Sequence, residues 1–90
     1  MPVSVRIPTI LRPHTGGEKS VAGRGETLRD LLADLESRHS GLSDRVVEGV
    51  SLRRFVNVYV NDEDVRFTGG LDTALADGDE VTILPAVAGG

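Results

Sequence analysis

The chain has 90 residues, 39% of them apolar and 27% charged, with a formal net charge of −4 from 14 acidic and 10 basic side chains and no cysteine. That length supports one compact domain with a single core and leaves little room for an elaborate catalytic pocket, so a carrier or binding module is expected in preference to an enzyme. The missing cysteines exclude a disulfide framework, a thiolate nucleophile and a cysteine-ligated metal centre. The acidic balance opposes phosphate backbones and anionic membrane surfaces, and no window approaches the continuous apolar run of a membrane span, so neither nucleic acid nor membrane is an expected partner.

The start, Met1 to Ile7, alternates apolar and polar residues instead of presenting a basic end, an apolar block and a cleavage site, which predicts a cytoplasmic protein. Val3, Val5 and Ile7 fall on one side of this period of two, giving a half-buried first strand. Pro8 and Pro13 bracket an irregular stretch, His14 to Gly17 supplies turn residues, and Lys19 to Ala22 returns as a short second strand. From Glu26 to Glu36 the leucines 28, 31, 32 and 35 stand at helical spacing, and Thr27 followed by Asp30 resembles a capping box. Arg38, His39 and Gly41 supply the cationic last turn and glycine stop of that helix.

Leu42 to Val47 reads as one further turn, and Glu48 to Arg54 as a connection without regular structure. Phe55 to Val60 is β-branched and aromatic, and Asn61 to Asp64 turns it towards a short strand at Val65 to Phe67. A helical turn at Leu71 to Leu75 and the turn Asp77-Gly78-Asp79 then lead into a last strand, Glu80 to Pro85. One amphipathic helix covers one face of a mixed sheet, which makes the fold class a two-layer α+β domain. The expected core is Val3, Val5, Ile7, Leu28, Leu31, Leu32, Leu35, Val56, Val58, Val60, Val81 and Ile83. The same alternation sends Phe55, Asn57 and Tyr59 to the open face, joined by Arg6 and Leu84 if their strands are neighbours. Two exposed aromatics there predict a docking surface, with Arg6, Phe55, Tyr59 and Leu84 as its candidates.

After the last strand comes Ala86-Val87-Ala88-Gly89-Gly90. Two glycines leave a carboxylate on backbone thin enough to enter a channel that no side chain could pass, and five extended residues reach roughly 17 Å. The expected division is therefore a domain over residues 1–85 and a flexible tail over 86–90, with Gly90 as the reacting group. Other candidates carry less. His14 and His39 lack metal-ligand neighbours, Asp62-Glu63-Asp64 lacks the ligand spacing of a calcium loop, and Gly16 to Lys19 lacks the spacing of a phosphate loop. No metal site and no catalytic residue is expected. Arg45, Arg53 and Arg54 form the most basic region, either solvated or in contact with a partner.

The order of elements and the terminal diglycine resemble the β-grasp, the ubiquitin-like fold of sulfur carriers of the ThiS/MoaD type, with a four- or five-stranded mixed sheet on one main helix. Ile7 to Gly17 (IPTILRPHTGG), Phe55 to Phe67 (FVNVYVNDEDVRF) and Asp77 to Gly90 (DGDEVTILPAVAGG) closely resemble the mycobacterial-type carriers of cysteine synthesis. Between Val21 and Arg54 the chain resembles that family mainly in its helix position and leucine pattern. The resemblance implies that an E1-like enzyme adenylates the Gly90 carboxylate with ATP and magnesium, and that a sulfurtransferase step converts it to a thiocarboxylate. A cysteine synthase containing pyridoxal phosphate (PLP) then uses O-phosphoserine and that sulfur to build a carrier-cysteine adduct, which a JAMM-type zinc metalloprotease cleaves. All of these cofactors belong to partners, and the free carrier is expected to be monomeric. In the matched tail Gly90 carries sulfur, Gly89 gives close access, and Ala86, Val87 and Ala88 form the lead into the partner's site. Two other roles fit the same fold: the small subunit of molybdopterin synthase, and a ubiquitin-like modifier that forms isopeptide bonds through Gly90.

Overall fold

The computed structural model describes residues 2–49, 51–53 and 56–85. Strand β1 (Val3–Arg6) turns through a 3-10 segment (Thr9–Thr15) into β2 (Ser20–Gly23), and helix α1 (Leu28–Glu36) follows. A short helix α2 (Leu42–Val46) runs into a hairpin of β3 (Val47–Glu48) and β4 (Ser51–Leu52). Then come β5 (Val56–Val60), β6 (Glu63–Asp64), two 3-10 turns (Val65–Phe67 and Gly70–Asp72) and β7 (Glu80–Pro85). The main sheet has the order β2-β1-β7-β5-β6, with β1 and β7 parallel and the other pairs antiparallel. The last strand therefore lies at the centre of the sheet, and the tail starts between β1 and β5.

The leucine stripe of α1 is the reason for this packing. Leu28, Leu31, Leu32 and Leu35 are all buried, against Val3, Val5, Val58, Val81 and Ile83 from the three central strands. Each such side chain contributes about 1.5–3 kcal/mol of burial. Thr27 caps the helix by accepting the Asp30 N–H at 3.2 Å, as its sequence position predicts. Gly25 is required where the chain enters α1, because a Cβ there would overlap the backbone nitrogen of Leu31 and stand 2.8 Å from the carbonyl carbon of Asp30.

Four expectations need correction. The connection at 48–54 contains the β3–β4 hairpin, where Arg53 N–H donates to Val46 O at 2.9 Å. The strand after β5 is Glu63–Asp64 and not Val65–Phe67: Asn61 and Asp62 take positive φ (50° and 74°), the two-residue turn that suits a hairpin's twist. Asp64 then caps a 3-10 turn by accepting the Arg66 N–H at 2.9 Å, which buries Val65 and turns Phe67 outward at 88% exposure. The helical turn placed at Leu71 to Leu75 is a 3-10 turn at Gly70–Asp72. Lastly, Gly41 does not merely stop α1. At φ 90° it opens α2, whose first amides, Gly41 N–H and Ser43 N–H, donate to the two oxygens of Glu36 at 2.9 and 3.0 Å.

The core is also larger than the periodic segments indicate. Val56 and Val60 are only half-buried, whereas Leu11, Leu42, Val46, Val65 and Leu71 join the buried cluster from the short irregular pieces.

Candidate functional site

Phe55 and the whole tail, Ala86, Val87, Ala88, Gly89 and Gly90, lie outside the described residues. The described part of the site is the root from which the tail starts. Pro85 ends β7 opposite Val56, and Leu84 faces Asn57 across the β7–β5 ladder. On β7's other flank Arg6 is level with Thr82, and Thr82 is level with Tyr59. Arg6, Thr82 and Tyr59 thus form one row across the open face. Arg6 and Tyr59 do not touch as neighbours, because the central strand β7 separates β1 from β5.

Tyr59 is half-buried rather than exposed, so the expected pair of exposed aromatics is not present in the described residues. The exposed large apolar side chains there are Ile10 (70%), Leu84 (44%) and Phe67. Ile10 gave no signal in the sequence because it lies in a run bracketed by prolines, where no periodicity assigns a face.

Two depressions, each of about 630 Å³, flank the root and share Pro8, Ile83, Leu84 and Pro85. The first has an apolar floor that includes Ile10, Leu11 and Pro13, with His14, Arg45, Glu48 and Arg53 on its rim. Arg53 is held in place: its Nε donates to Asp44 O at 2.5 Å and its Nη1 lies 3.9 Å from Glu48 Oε1. The second is basic, with Arg6, Arg12 and Lys19 along it. Arg12 reaches back through its Nε to Ile7 O at 3.2 Å. Arg66 closes the lower edge of β5 beyond the two-residue β6, donating to Asn57 Oδ1 at 2.7 Å, Val56 O at 2.6 Å and Arg53 O at 3.1 Å.

The carboxylates that depart from ordinary behaviour stand elsewhere. Asp34 is held below the usual aspartate range by the Arg38 guanidinium and the Arg24 N–H, and Arg38 is raised in turn by Asp34. Backbone bonds from Gly41 and Ser43 lower Glu36. Asp79 is lowered by the Ala76 N–H and the Asn61 side chain. Each is a carboxylate that holds a turn or helix end together. Among the described residues no group of three His, Cys, Asp or Glu could hold a metal ion, and no helix is long and apolar enough to cross a membrane.

The geometry is a central strand, β7, that ends at Pro85 between two depressions. Residues 5–90 match the ThiS family. The chain belongs to the ThiS family. It is a ubiquitin-like sulfur carrier and not an enzyme. It is 66% identical over 93 residues to the sulfur carrier protein CysO of Mycobacterium tuberculosis, with all of both chains covered. The crystal structure of that protein superposes with a TM-score of 0.91 over 94% of this chain and 99% of the other. The BexX/CysO complex of Amycolatopsis orientalis gives a TM-score of 0.93 at 62% identity, covering 98% and 99% of the two chains. Small archaeal modifier protein 3 of Haloferax volcanii is 40% identical over 77 residues, covering 82% of this chain and 84% of that one. ThiS-family membership accounts for the mixed five-stranded sheet on one main helix, the β-grasp that the element order implied.

Proposed function

We propose that this ThiS-family carrier holds sulfur on the carboxyl carbon of Gly90 and delivers it, in the cytosol, for the synthesis of cysteine. The observation that carries the proposal is the full-length identity of 66% to a carrier of that name, together with a tail rooted on the central strand. Carboxylate oxygen is a poor leaving group until ATP converts it to a mixed anhydride with AMP, after which persulfide sulfur can displace AMP. The E1-like enzyme supplies ATP and magnesium, the cysteine synthase supplies PLP and an acceptor made from O-phosphoserine, and the JAMM-type protease supplies zinc.

This chain contributes presentation. Residues 1–85 form the platform, and residues 86–90 form the arm that enters each partner, Gly89 giving close access and Ala86, Val87 and Ala88 the small apolar lead. Arg6 and Leu84 on the second depression, with Tyr59 beside them on the same face, serve as docking contacts, and Phe55 is a further candidate. Docking makes sulfur delivery effectively intramolecular, which raises its local concentration at the synthase.

The test is intact-mass measurement of the chain incubated with its activating enzyme, ATP and a persulfide source. A gain of about 16 Da is expected as oxygen is replaced by sulfur. Addition of the PLP synthase and O-phosphoserine should then give a cysteine adduct, and a loaded carrier that never forms it would point to molybdopterin synthesis. Failure to gain sulfur at all would remove the carrier role. The 40% identity to a modifier protein favours one second role, transfer of the activated Gly90 to an amine.

A further inference from the structure

The edge of an open sheet presents main-chain N–H and C=O groups that can take up another strand. Among the described residues β2 is the outermost strand on one side of the main sheet. Ile7 N–H donates to Lys19 O at 2.8 Å, so the bonded rows of the β1–β2 ladder pair Ile7 with Lys19, Val5 with Val21 and Val3 with Gly23. The main-chain groups of Ser20, Ala22 and Arg24 alternate with those rows and point away from β1.

Two side chains from the end of α1 meet that edge. Arg38 Nη2 donates to Ala22 O at 2.8 Å, and Asp34 Oδ2 accepts the Arg24 N–H at 2.9 Å. The pair is clamped together, Nη2 to Oδ2 at 2.9 Å and Nη1 to Oδ1 at 3.2 Å. In a parallel ladder, one residue of an added strand donates its N–H to the carbonyl of residue i and accepts at its own carbonyl from the N–H of residue i+2. With Ala22 as residue i, the guanidinium stands in for that N–H and the carboxylate for that carbonyl. The ion pair thus imitates one residue of a further strand. An exposed pair four positions apart adds little to stability, so its placement on the edge is what sets it apart. The opposite side of the sheet is treated alike: β6 pairs only with Tyr59 and Val60 of β5, and Arg66 Nη2 takes Val56 O at 2.6 Å.

The edge that Arg38 covers is self-complementary. About a two-fold axis at Val21, the β2 of a second copy would set its Ala22 against Ser20 and its Ser20 against Ala22, each pair exchanging both main-chain hydrogen bonds. Those side chains are small, and the same register puts Arg24 opposite Glu18 of the second copy, an attractive pairing at both ends. We propose that Asp34 and Arg38 seal the β2 edge against a second copy of this chain and so keep it monomeric. The seal is independent of sulfur loading. It acts by occupying the Ala22 carbonyl, which otherwise finds its partner in water or in another strand.

Sedimentation equilibrium of the full chain and of Arg38→Ala tests the seal. The native chain should remain monomeric, whereas the variant should dimerise, its self-association strengthened at least ~10-fold, the order that two symmetry-related hydrogen bonds supply. Hydrogen exchange should locate the contact: the Ser20 and Ala22 amides exchange freely in the native chain and become protected in the variant dimer. Adding Ala22→Pro to Arg38→Ala should restore the monomer, because proline removes an N–H that faces outward and leaves the β1–β2 bonds intact. Arg38→Gln, whose shorter side chain carries no charge, should behave as Arg38→Ala does. A folded variant that stays monomeric, or a dimer that survives Ala22→Pro, would overturn the proposal. So would a native chain that already pairs through β2, since the edge would then be open. Loss of a cooperative thermal melt in both Arg38→Ala and Arg38→Gln would overturn it as well, because Arg38 would then hold the fold together instead of guarding an edge.

Discussion

The two ends of the central sheet are built from opposite materials. At the end where β7 begins, Asp62, Glu63, Asp79 and Glu80 cluster around the β5–β6 turn, and the turn closes on itself: Asp79 accepts Ala76 N–H at 2.8 Å and Asn61 Nδ2 at 2.9 Å, while Asn61 Oδ1 accepts Glu80 N–H at 3.0 Å. At the end where β7 finishes, Arg6, Arg12, Lys19, Arg45 and Arg53 surround the tail root, beside exposed Ile10 and Leu84, with Glu48 as the acid on the rim of the first depression. The acidic end spends its polar groups on its own backbone, whereas the root leaves cationic and apolar groups facing outward. A net charge of −4 thus conceals a basic, sticky end, and it is the end that carries the tail.

If that contrast divides stability from recognition, perturbations at the two ends should separate cleanly. The largest effect is expected from the arm itself: deleting Gly90 withdraws the carboxyl by about 3.4 Å and should reduce sulfur loading at least ~100-fold, with an unchanged thermal melt. Next, Arg6→Glu or Leu84→Asp should raise the KM of the activating enzyme for the carrier by roughly tenfold each, the cost typical of a contact that matters at an interface. Equal KM for these variants and the native chain would break the division.

Glu63→Lys and Glu80→Lys at the opposite end, both exposed, should change the same KM by less than about twofold, apart from a general salt-dependent gain in attraction. The smallest effect is expected in acid. Asp34, Glu36 and Asp79 are held below their ordinary values of 3.8, 4.5 and 3.8 in the folded chain. Their stabilisation is therefore complete above those ordinary values and is lost as pH falls through the lower folded ones. Asp79→Asn should lower the urea midpoint at pH 7, and the gap to the native chain should close in acid, where native Asp79 is itself protonated. Sulfur loading at pH 7 should be unaffected, since Asp79 is remote from the root.

Much of this was legible in the residues alone. The period of 3.6 in Leu28, Leu31, Leu32 and Leu35 and the period of two in Val3 and Val5 assign the helix, the first strand and their buried faces, because each long element must satisfy one repeating pattern. The resemblance of Ile7 to Gly17, Phe55 to Phe67 and Asp77 to Gly90 then led to the family. The short pieces were not legible in the same way. Two-residue strands such as β3, β4 and β6 hold too few positions to show any period, and Val65 and Phe67, which a strand would put on one face, are separated by the 3-10 turn that replaces it, Val65 buried and Phe67 exposed.

By itself, the sequence determined the helix, the sheet-forming segments and most of the core. These are local or compositional properties, set by side-chain periodicity and by which atoms are present. Only the tertiary structure decided that β7 lies between β1 and β5, which keeps Arg6 from Tyr59 and gathers the cations around Pro85. Strand order is a property of pairing between residues as much as 76 positions apart, as Ser4 is from Glu80, and no local pattern encodes it.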